Sequence, residues 1–105
     1  MNKIDILREL KDKLNKNLKN TIKEVILFGS QASNSAHKYS DYDILIIVNT
    51  DLTPQVKEHI ISLCYDIDLK YNILTDTHIL SVKELDSLKG KQPIFTNAMK
   101  NGIHV

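Results

Sequence analysis

The sequence is poor in the residues that build disulfide frameworks and flexible linkers. It has one cysteine, three glycines, two prolines and no tryptophan among 105 residues. One cysteine excludes an internal disulfide framework, and no apolar run approaches the roughly 20 residues that a helix needs to cross a bilayer. Residues 1–5 lack the apolar core of a secretory signal peptide. We therefore expect a cytoplasmic protein that does not associate with membranes.

A strong charge of one sign is also missing. The 14 basic and 13 acidic residues give a formal net charge of +1 at pH 7. Such a surface offers no electrostatic basis for extended nucleic-acid binding. A hydrophobic content of 42% in 105 residues leaves room for one compact core. The expected organisation is a single domain over residues 1–105.

Gly29-Ser30 follows a segment that is typical of a buried strand. Residues 23–28 become apolar towards their end, are rich in branched and aromatic side chains, and stop at Gly29, which predicts a strand that enters a tight turn. Gly29 lets the backbone come close to a ligand. Ser30 is a suitable N-cap for a short helix over residues 31–34, whose free amides would face an anion such as a triphosphate.

Asp41-Tyr42-Asp43 begins a second predicted strand, which continues to Val48. Residues two apart in an extended chain project from the same face, so Asp41 and Asp43 converge. Residues 44–48 are continuously apolar, which indicates burial on both sides and leaves the aspartates at the mouth of the strand. Two close carboxylates repel each other unless a proton or a cation intervenes. Their hard oxygen ligands favour Mg²⁺ or Mn²⁺, commonly shared with substrate phosphates.

The two segments together resemble the minimal nucleotidyltransferases of the DNA polymerase beta-like superfamily. The family signature is Gly-Ser, a ten-residue spacer and Asp-x-Asp, and the stretch LFGSQASNSAHKYSDYDILIIV carries it with residues 31–40 as the spacer. The resemblance extends over the rest of the chain. It implies an α/β (α+β) fold in which helices flank a small mixed sheet with a palm-like core. One departure is Gln31, where many relatives carry an arginine that contacts phosphate.

The resemblance also implies a third carboxylate on a later strand, for which Asp66, Asp68 and Asp76 are candidates. Residues 54–70 have a helical apolar stripe and a proline in the first turn, which places Asp66 and Asp68 on a helix. Residues 72–80 have a strand-like composition with Asp76 in the middle. Asp76 is therefore our choice, and Asp68 is the reserve if the helix ends early.

The implied reaction is in-line displacement at the α-phosphate of a nucleoside triphosphate, which releases pyrophosphate. Asp41, Asp43 and Asp76 are the expected catalytic and metal-binding residues around two Mg²⁺ ions, with Mn²⁺ as a substitute. Gly29 and Ser30 are the expected nucleotide-binding residues. ATP is the nucleotide that the family implies, although no residue in the sequence ties the site to one base.

The acceptor is open to three interpretations. Many family members accompany a HEPN-domain partner, a small helical ribonuclease toxin, and some transfer AMP to a tyrosine of that partner. This implies an antitoxin that adenylylates a protein. The alternatives are a non-catalytic module that binds the partner, and a transferase for a small-molecule hydroxyl, which in larger relatives uses a second domain. The sequence leaves the formation of a homo-oligomer open.

Three further helices are predicted outside the motif. Periodic leucines and isoleucines among lysines predict an amphipathic first helix that ends near Asn20. Residues 82–88 and 93–100 predict two short helices after the third strand. The chain contains no internal repeat or linker.

Four other residues could carry chemistry but have plainer interpretations. Cys64 lies on the apolar stripe of the helix over residues 54–70, so we expect a buried small hydrophobe. His37 and Lys38 lie in the spacer, where they either contact phosphate or base or are simply exposed. His78 shares the strand parity of Asp76 and faces the predicted cleft, but the pattern gives it no partner.

Overall fold

The computed structural model describes residues 2–33 and 41–105. The elements in chain order are α1 (Lys3–Asn17), β1 (Ile22–Phe28), β2 (Tyr42–Val48), α2 (Pro54–Tyr71), β3 (Thr75–Ser81), α3 (Val82–Leu85), α4 (Pro93–Asn101) and β4 (Ile103–His104). The strands form one sheet in the order β3-β2-β1-β4. β1 pairs antiparallel with β2 and β4, whereas β2 and β3 are parallel. The predicted small mixed sheet flanked by helices is confirmed.

The sheet has helices on both faces, which is why residues 44–48 are buried without alternation. One face packs against α1 and α2. Its sheet residues include Val25, Leu27, Ile44, Ile46 and Val48. The other face packs against α3 and α4. Its core consists of Ile26, Phe28, Leu45, Ile47, Leu80, Phe95 and Ala98. The residue at position 43 shares this second face because it is two residues from Leu45 along the same strand.

α2 is the crossover that allows β3 to run parallel to β2. It begins at Pro54 behind Thr53, whose side chain accepts a hydrogen bond from the amide of Val56. Two contacts tie its end to α1: the Tyr71 hydroxyl donates to Glu9 at 2.6 Å, and the Lys70 ammonium donates to the same carboxylate at 2.9 Å. These contacts fix where the chain turns into β3.

Several predicted boundaries were wrong. The first helix ends at Asn17, since the chain takes left-handed backbone angles at Lys19 (φ 55°) and Asn20 (φ 59°). The third strand begins at Thr75 because Asn72 caps α2 in the left-handed region. The helix over residues 82–88 is only the four residues of α3. The strand β4 was not predicted. In the described ranges, no helix is both long and apolar enough to cross a membrane.

Candidate active site

Gly29 brings the turn after β1 into contact with β2. Its φ is +72°, a backbone angle that glycine adopts without the strain that a side chain would add. Phe28 is the register partner of Asp43 in the antiparallel pair. A Cβ at Gly29 would overlap the Asp43 carboxylate. The turn and the carboxylate therefore form one site only because position 29 has no side chain.

The segment after Gly29 is a single turn in its described part. The Gly29 carbonyl accepts from the amides of Ala32 at 3.2 Å and Ser33 at 3.3 Å. The short helix expected over residues 31–34 is thus limited to one hydrogen-bonded turn up to Ser33, and Asn34 lies outside the described residues. Because the Gly29 carbonyl accepts these bonds, the turn begins one residue before the predicted cap at Ser30.

Gln31, the residue that departs from the expected pattern, is buried, with 5% exposure. The ammonium of Lys3 donates to the Gln31 carbonyl at 3.1 Å. The turn therefore has a positive charge beside it, supplied by the start of α1. The Lys3 ammonium group lies beside the backbone carbonyl of Gln31. An arginine at position 31 would instead carry the positive charge at the end of its own side chain.

Asp43 and Asp76 meet at one edge of the sheet. They are register partners in the parallel pair of β2 and β3, and their carboxylates are close enough to share a hydrogen bond. Burial raises the pKa of Asp43, and the negative charge of Asp76 raises it further. The side chain of Asp76 is 55% exposed. The pair therefore has one partly buried member and one that solvent reaches.

Asp41 stands just before β2 and is exposed. Its charge contributes to the raised pKa of Asp43 and also to that of Asp68. Within residues 2–33 and 41–105, no three His, Cys, Asp or Glu side chains are placed to hold a metal ion together. The structure thus brings Asp43 and Asp76 into contact, with Asp41 at the mouth of the strand.

The donor set of this pair fits a divalent cation. Carboxylate oxygens are the hard ligands that Mg²⁺ and Mn²⁺ prefer. The repulsion between Asp43 and Asp76 is what a cation between them would relieve. The residues present are therefore compatible with the divalent metal that the sequence motif predicts.

Asp68, the reserve candidate, lies in the other layer. It belongs to α2, and its Oδ2 accepts from the Thr75 hydroxyl at 3.2 Å. Thr75 precedes Asp76 in β3, so the two side chains point to opposite faces of the sheet. The pKa of Asp68 is raised by burial, against which the hydrogen bond from Thr75 acts. The sheet therefore separates Asp68 from the carboxylate pair.

His78 has partners that the sequence pattern did not reveal. Its Nε2 is 3.6 Å from Oδ2 of Asp76. Its ring lies 5.7 Å from the ring of Phe28 and 6.0 Å from that of Phe95, measured between centroids. The two phenylalanines belong to β1 and α4 and are far from His78 in sequence. The local sequence around His78 therefore could not predict this contact. His37 and Lys38 lie outside the described residues.

Cys64 is buried with 2% exposure, as expected for a residue on the apolar stripe of α2. Burial raises the pKa of its thiol to about 11. A thiol with so high a pKa is protonated at neutral pH and is a poor nucleophile. Cys64 therefore belongs to the core and not to the candidate site.

Comparison with known proteins identifies relatives by sequence. A family model described as a nucleotidyltransferase domain matches residues 7–100. Two proteins of Methanocaldococcus jannaschii, both named "Putative protein adenylyltransferase", are similar to the chain. One is 39% identical over 71 residues, which cover 68% of this chain and 72% of the relative. The other is 30% identical over 102 residues, which cover 97% and 96%.

A solved structure is similar in fold. It is a crystal structure of a mutant of the toxin–antitoxin MntA–HpeT. The superposition covers 99% of this chain and 72% of the matched chain, with a TM-score of 0.58 and 13% sequence identity. At that identity the likeness concerns the fold.

Proposed function

Because this chain belongs to the nucleotidyltransferase domain family and is a minimal nucleotidyltransferase, we propose that it transfers AMP from ATP to a tyrosine hydroxyl of a HEPN-type toxin and so acts as an antitoxin. The contact of Asp43 with Asp76, directly against Gly29, carries the proposal. The names of the two archaeal relatives support a protein acceptor. The toxin–antitoxin assembly of the structural neighbour supports the kind of partner.

The site is proposed to work with two Mg²⁺ ions, or Mn²⁺ in their place. Asp41, Asp43 and Asp76 would hold them. When bound, the ions would neutralise charge on the triphosphate and on the leaving pyrophosphate. The raised pKa of Asp43 fits this role, because a cation would compensate for the burial and the repulsion that now disfavour its ionised form.

The chain's own residues position the reactants. Gly29 and Ser30 hold the triphosphate at the turn, where Gly29 keeps the backbone close to Asp43. The tyrosine oxygen forms a bond to the α-phosphorus while the bond from that phosphorus to the oxygen bridging to the β-phosphorus breaks. The hydroxyl proton passes to the carboxylate of Asp76, and His78 lies beside that carboxylate at 3.6 Å. Positioning and electrostatics supply most of the acceleration in such a site.

The topology favours a large acceptor. β3 is an edge strand of the sheet, and Asp76 in this strand is half exposed. A protein surface can therefore approach the carboxylate pair from the open side of β3. The acceptor would itself supply part of the binding surface.

The test is to incubate the protein with ATP, Mg²⁺ and the protein encoded beside it, and to measure the intact mass of both. We expect the partner to gain mass in whole AMP units. The Asp41→Asn/Asp43→Asn double variant should transfer nothing. The matched control is Asp66→Asn, which removes an exposed carboxylate of α2 that pairs with Lys13 at 3.5 Å and should transfer normally.

Two outcomes would count against the proposal. If no nucleotide is transferred although a stable complex forms, the chain is a binding module for that partner. If the double variant transfers as well as the wild type, the reaction takes place at another site. Replacing the partner with small hydroxyl compounds in the same assay addresses the remaining alternative.

A further inference from the structure

Exposed apolar side chains gather along α2 and at the start of β3. Seven large hydrophobic side chains are exposed in the described ranges, and four of them lie here, each more than half exposed: Ile61, Tyr65, Leu69 and Leu74. We call these four side chains the apolar surface. Its three members in α2 are spaced by four residues, so they lie on one side of the helix. Exposed apolar side chains that cluster in this way, and are not scattered singly, mark contact sites for other macromolecules.

A groove between α2 and β3 runs beside the apolar surface. It has a volume of about 260 Å³ and is lined by Ile61, Cys64, Tyr65, Asp68, Thr75 and Thr77. β3 is the outer strand of the sheet, so among the described residues its far edge has no strand paired with it. A helix with one apolar side can fill a groove of this kind, because its side chains at every third or fourth residue enter together.

Leu74 extends the apolar surface to the carboxylate pair. Its carbonyl accepts from the Tyr42 amide at 2.8 Å, so Leu74 continues the pairing of β3 with β2 by one residue. Leu74 and Asp76 are two residues apart along this extended segment and therefore share a face of the sheet. A protein bound to the α2 part of the apolar surface can thus reach round the start of β3 to Asp76.

The charges on this side of α2 are negative. Glu58 and Asp68 are turned from Tyr65 by about 20° and 60° around the helix, at about 100° per residue. The two lysines of α2 lie further round the helix, and Lys70 is paired with Glu9 of α1. A second copy of this chain would therefore place carboxylates against a surface that offers carboxylates. A partner with lysine or arginine beside its apolar residues would complement them.

We propose that the apolar surface is the docking site of the acceptor protein, occupied by an amphipathic helix of that protein whose apolar side chains are flanked by lysine or arginine. The inference rests on the proposed function, because it names the place where the acceptor of that function binds. α2 packs on the sheet face opposite to the carboxylate pair. Docking on α2 and round the edge of β3 therefore leaves the other face free for the nucleotide and holds the acceptor tyrosine beside Asp76.

The test measures binding and transfer separately, with the protein encoded beside this chain as the probe. Calorimetry gives the dissociation constant of the complex, and the mass assay gives kcat and the KM of the acceptor. The variants are Tyr65→Ala and Leu69→Ala, at positions exposed on a helix, where alanine is well tolerated. The matched control is Leu88→Ala, because Leu88 is also exposed but lies between α3 and α4, which pack on the other face of the sheet. Thermal unfolding checks that each variant is folded.

We expect Tyr65→Ala and Leu69→Ala each to raise the dissociation constant and the KM of the acceptor about tenfold, as for a contact that matters at an interface. The values of kcat and of the KM for ATP should not change, because the carboxylate pair is intact. Leu88→Ala should behave as the wild type. Glu58→Lys should weaken the complex about threefold and make its affinity less sensitive to salt.

The outcomes separate the two proposals. If the wild type transfers AMP and both alanine variants bind and react equally well, the docking inference is overturned and the proposed function stands. If a complex forms without transfer and the alanine variants weaken it, the docking site is supported and the proposed function fails. If the wild type neither binds nor modifies the probe, both fail.

Two further results would overturn the assigned occupant. Analytical ultracentrifugation of the chain alone would show a second copy on the apolar surface if the wild type is a dimer that Leu69→Asp separates. Tighter binding of the probe by Glu58→Lys would mean that the docked surface is acidic and not basic. A monomeric wild type and weaker binding by Glu58→Lys support the proposal.

Discussion

Gly29 lies directly against the carboxylate of Asp43, so that the two halves of the sequence motif touch in space. The antiparallel pairing of Phe28 with Asp43 produces this contact. It means that the turn and the strand that carries Asp43 cannot be altered independently. Gly29 and Asp43 are 14 residues apart in sequence. They lie close together because the end of β1 and the start of β2 are at the same end of the antiparallel pair.

Gly29→Ala should therefore damage the site more than the fold. The added Cβ would displace the Asp43 carboxylate, and the positive φ of 72° would be strained. We expect a loss of unfolding free energy of about 1–2 kcal/mol and a fall in the rate of nucleotide transfer of about 100-fold, as for a reacting group that is misplaced by an ångström. Chemical denaturation and the mass assay measure the two effects.

Asn20→Ala is the matched control for backbone strain. Asn20 also has a positive φ, of 59°, but lies in the turn between α1 and β1. It should lose stability to a similar extent and keep its rate of transfer. Equal losses of rate in both variants would mean that the contact of Gly29 with Asp43 is not what matters.

Asp76→Asn and Asp68→Asn separate the two candidates for the third carboxylate. Asp76 adjoins Asp43, whereas Asp68 is hydrogen-bonded to Thr75 in the other layer. We expect Asp76→Asn to lower the rate of transfer by about 100-fold or more. Asp68→Asn should change the rate little, and its unfolding free energy by under about 1 kcal/mol. The reverse order of effects would make Asp68 the functional residue.

The central part of the fold could be predicted because its signals are local. The buried run over residues 44–48 and the cap and proline at Thr53 and Pro54 each mark an element in sequence. The strand β4 gave no such signal, since a two-residue strand shows no period. It exists through its pairing with Ile26 and Leu27 of β1, which are far from it in sequence, so it depends on tertiary structure.

The sequence indicated which residues belong to the candidate site, but it did not indicate which of them contact one another. Asp41 and Asp43 are two residues apart in a predicted strand, which predicts that they share one face. The strand-like composition of residues 72–80 predicted that Asp76 lies in a strand. The pairing of Asp43 with Asp76 depends on the register between β2 and β3, which the crossover α2 sets. The contact of His78 with two distant phenylalanines likewise arises only from packing.

Adding Mg²⁺ should stabilise the wild type and not Asp43→Asn. A cation relieves the repulsion between Asp43 and Asp76 only when both are carboxylates. At a free concentration ten times the dissociation constant, the gain is about 1.4 kcal/mol, or roughly 5–10 °C in Tm for a domain of this size. Thermal unfolding with and without Mg²⁺ measures it, and Asp66→Asn should respond as the wild type does. If neither Mg²⁺ nor Mn²⁺ changes the Tm of the wild type, the result contradicts a metal site at Asp43 and Asp76.

The stability of the fold should fall with rising pH through His104. Its ring nitrogens lie 2.6 Å from a Glu24 carboxylate oxygen and 2.9 Å from the Met99 carbonyl oxygen. The hydrogen bond to Glu24 raises the pKa of His104 most, the Met99 carbonyl raises it further, and burial acts in the opposite direction. The folded protein therefore holds this proton more tightly than the unfolded chain, in which histidine has a pKa of about 6.5.

The stabilisation is complete below the unfolded pKa and is lost as the pH rises through the raised folded pKa. Since the His104 side chain is 38% exposed, we expect the loss to be under about 1 kcal/mol. Urea unfolding across this range should show a decline in the wild type that His104→Gln largely removes. His59→Gln, which removes an exposed histidine of α2, should keep the wild-type slope. If His104→Gln also keeps the wild-type slope of stability with pH, the ion pair of His104 with Glu24 does not stabilise the pairing of β4 with β1.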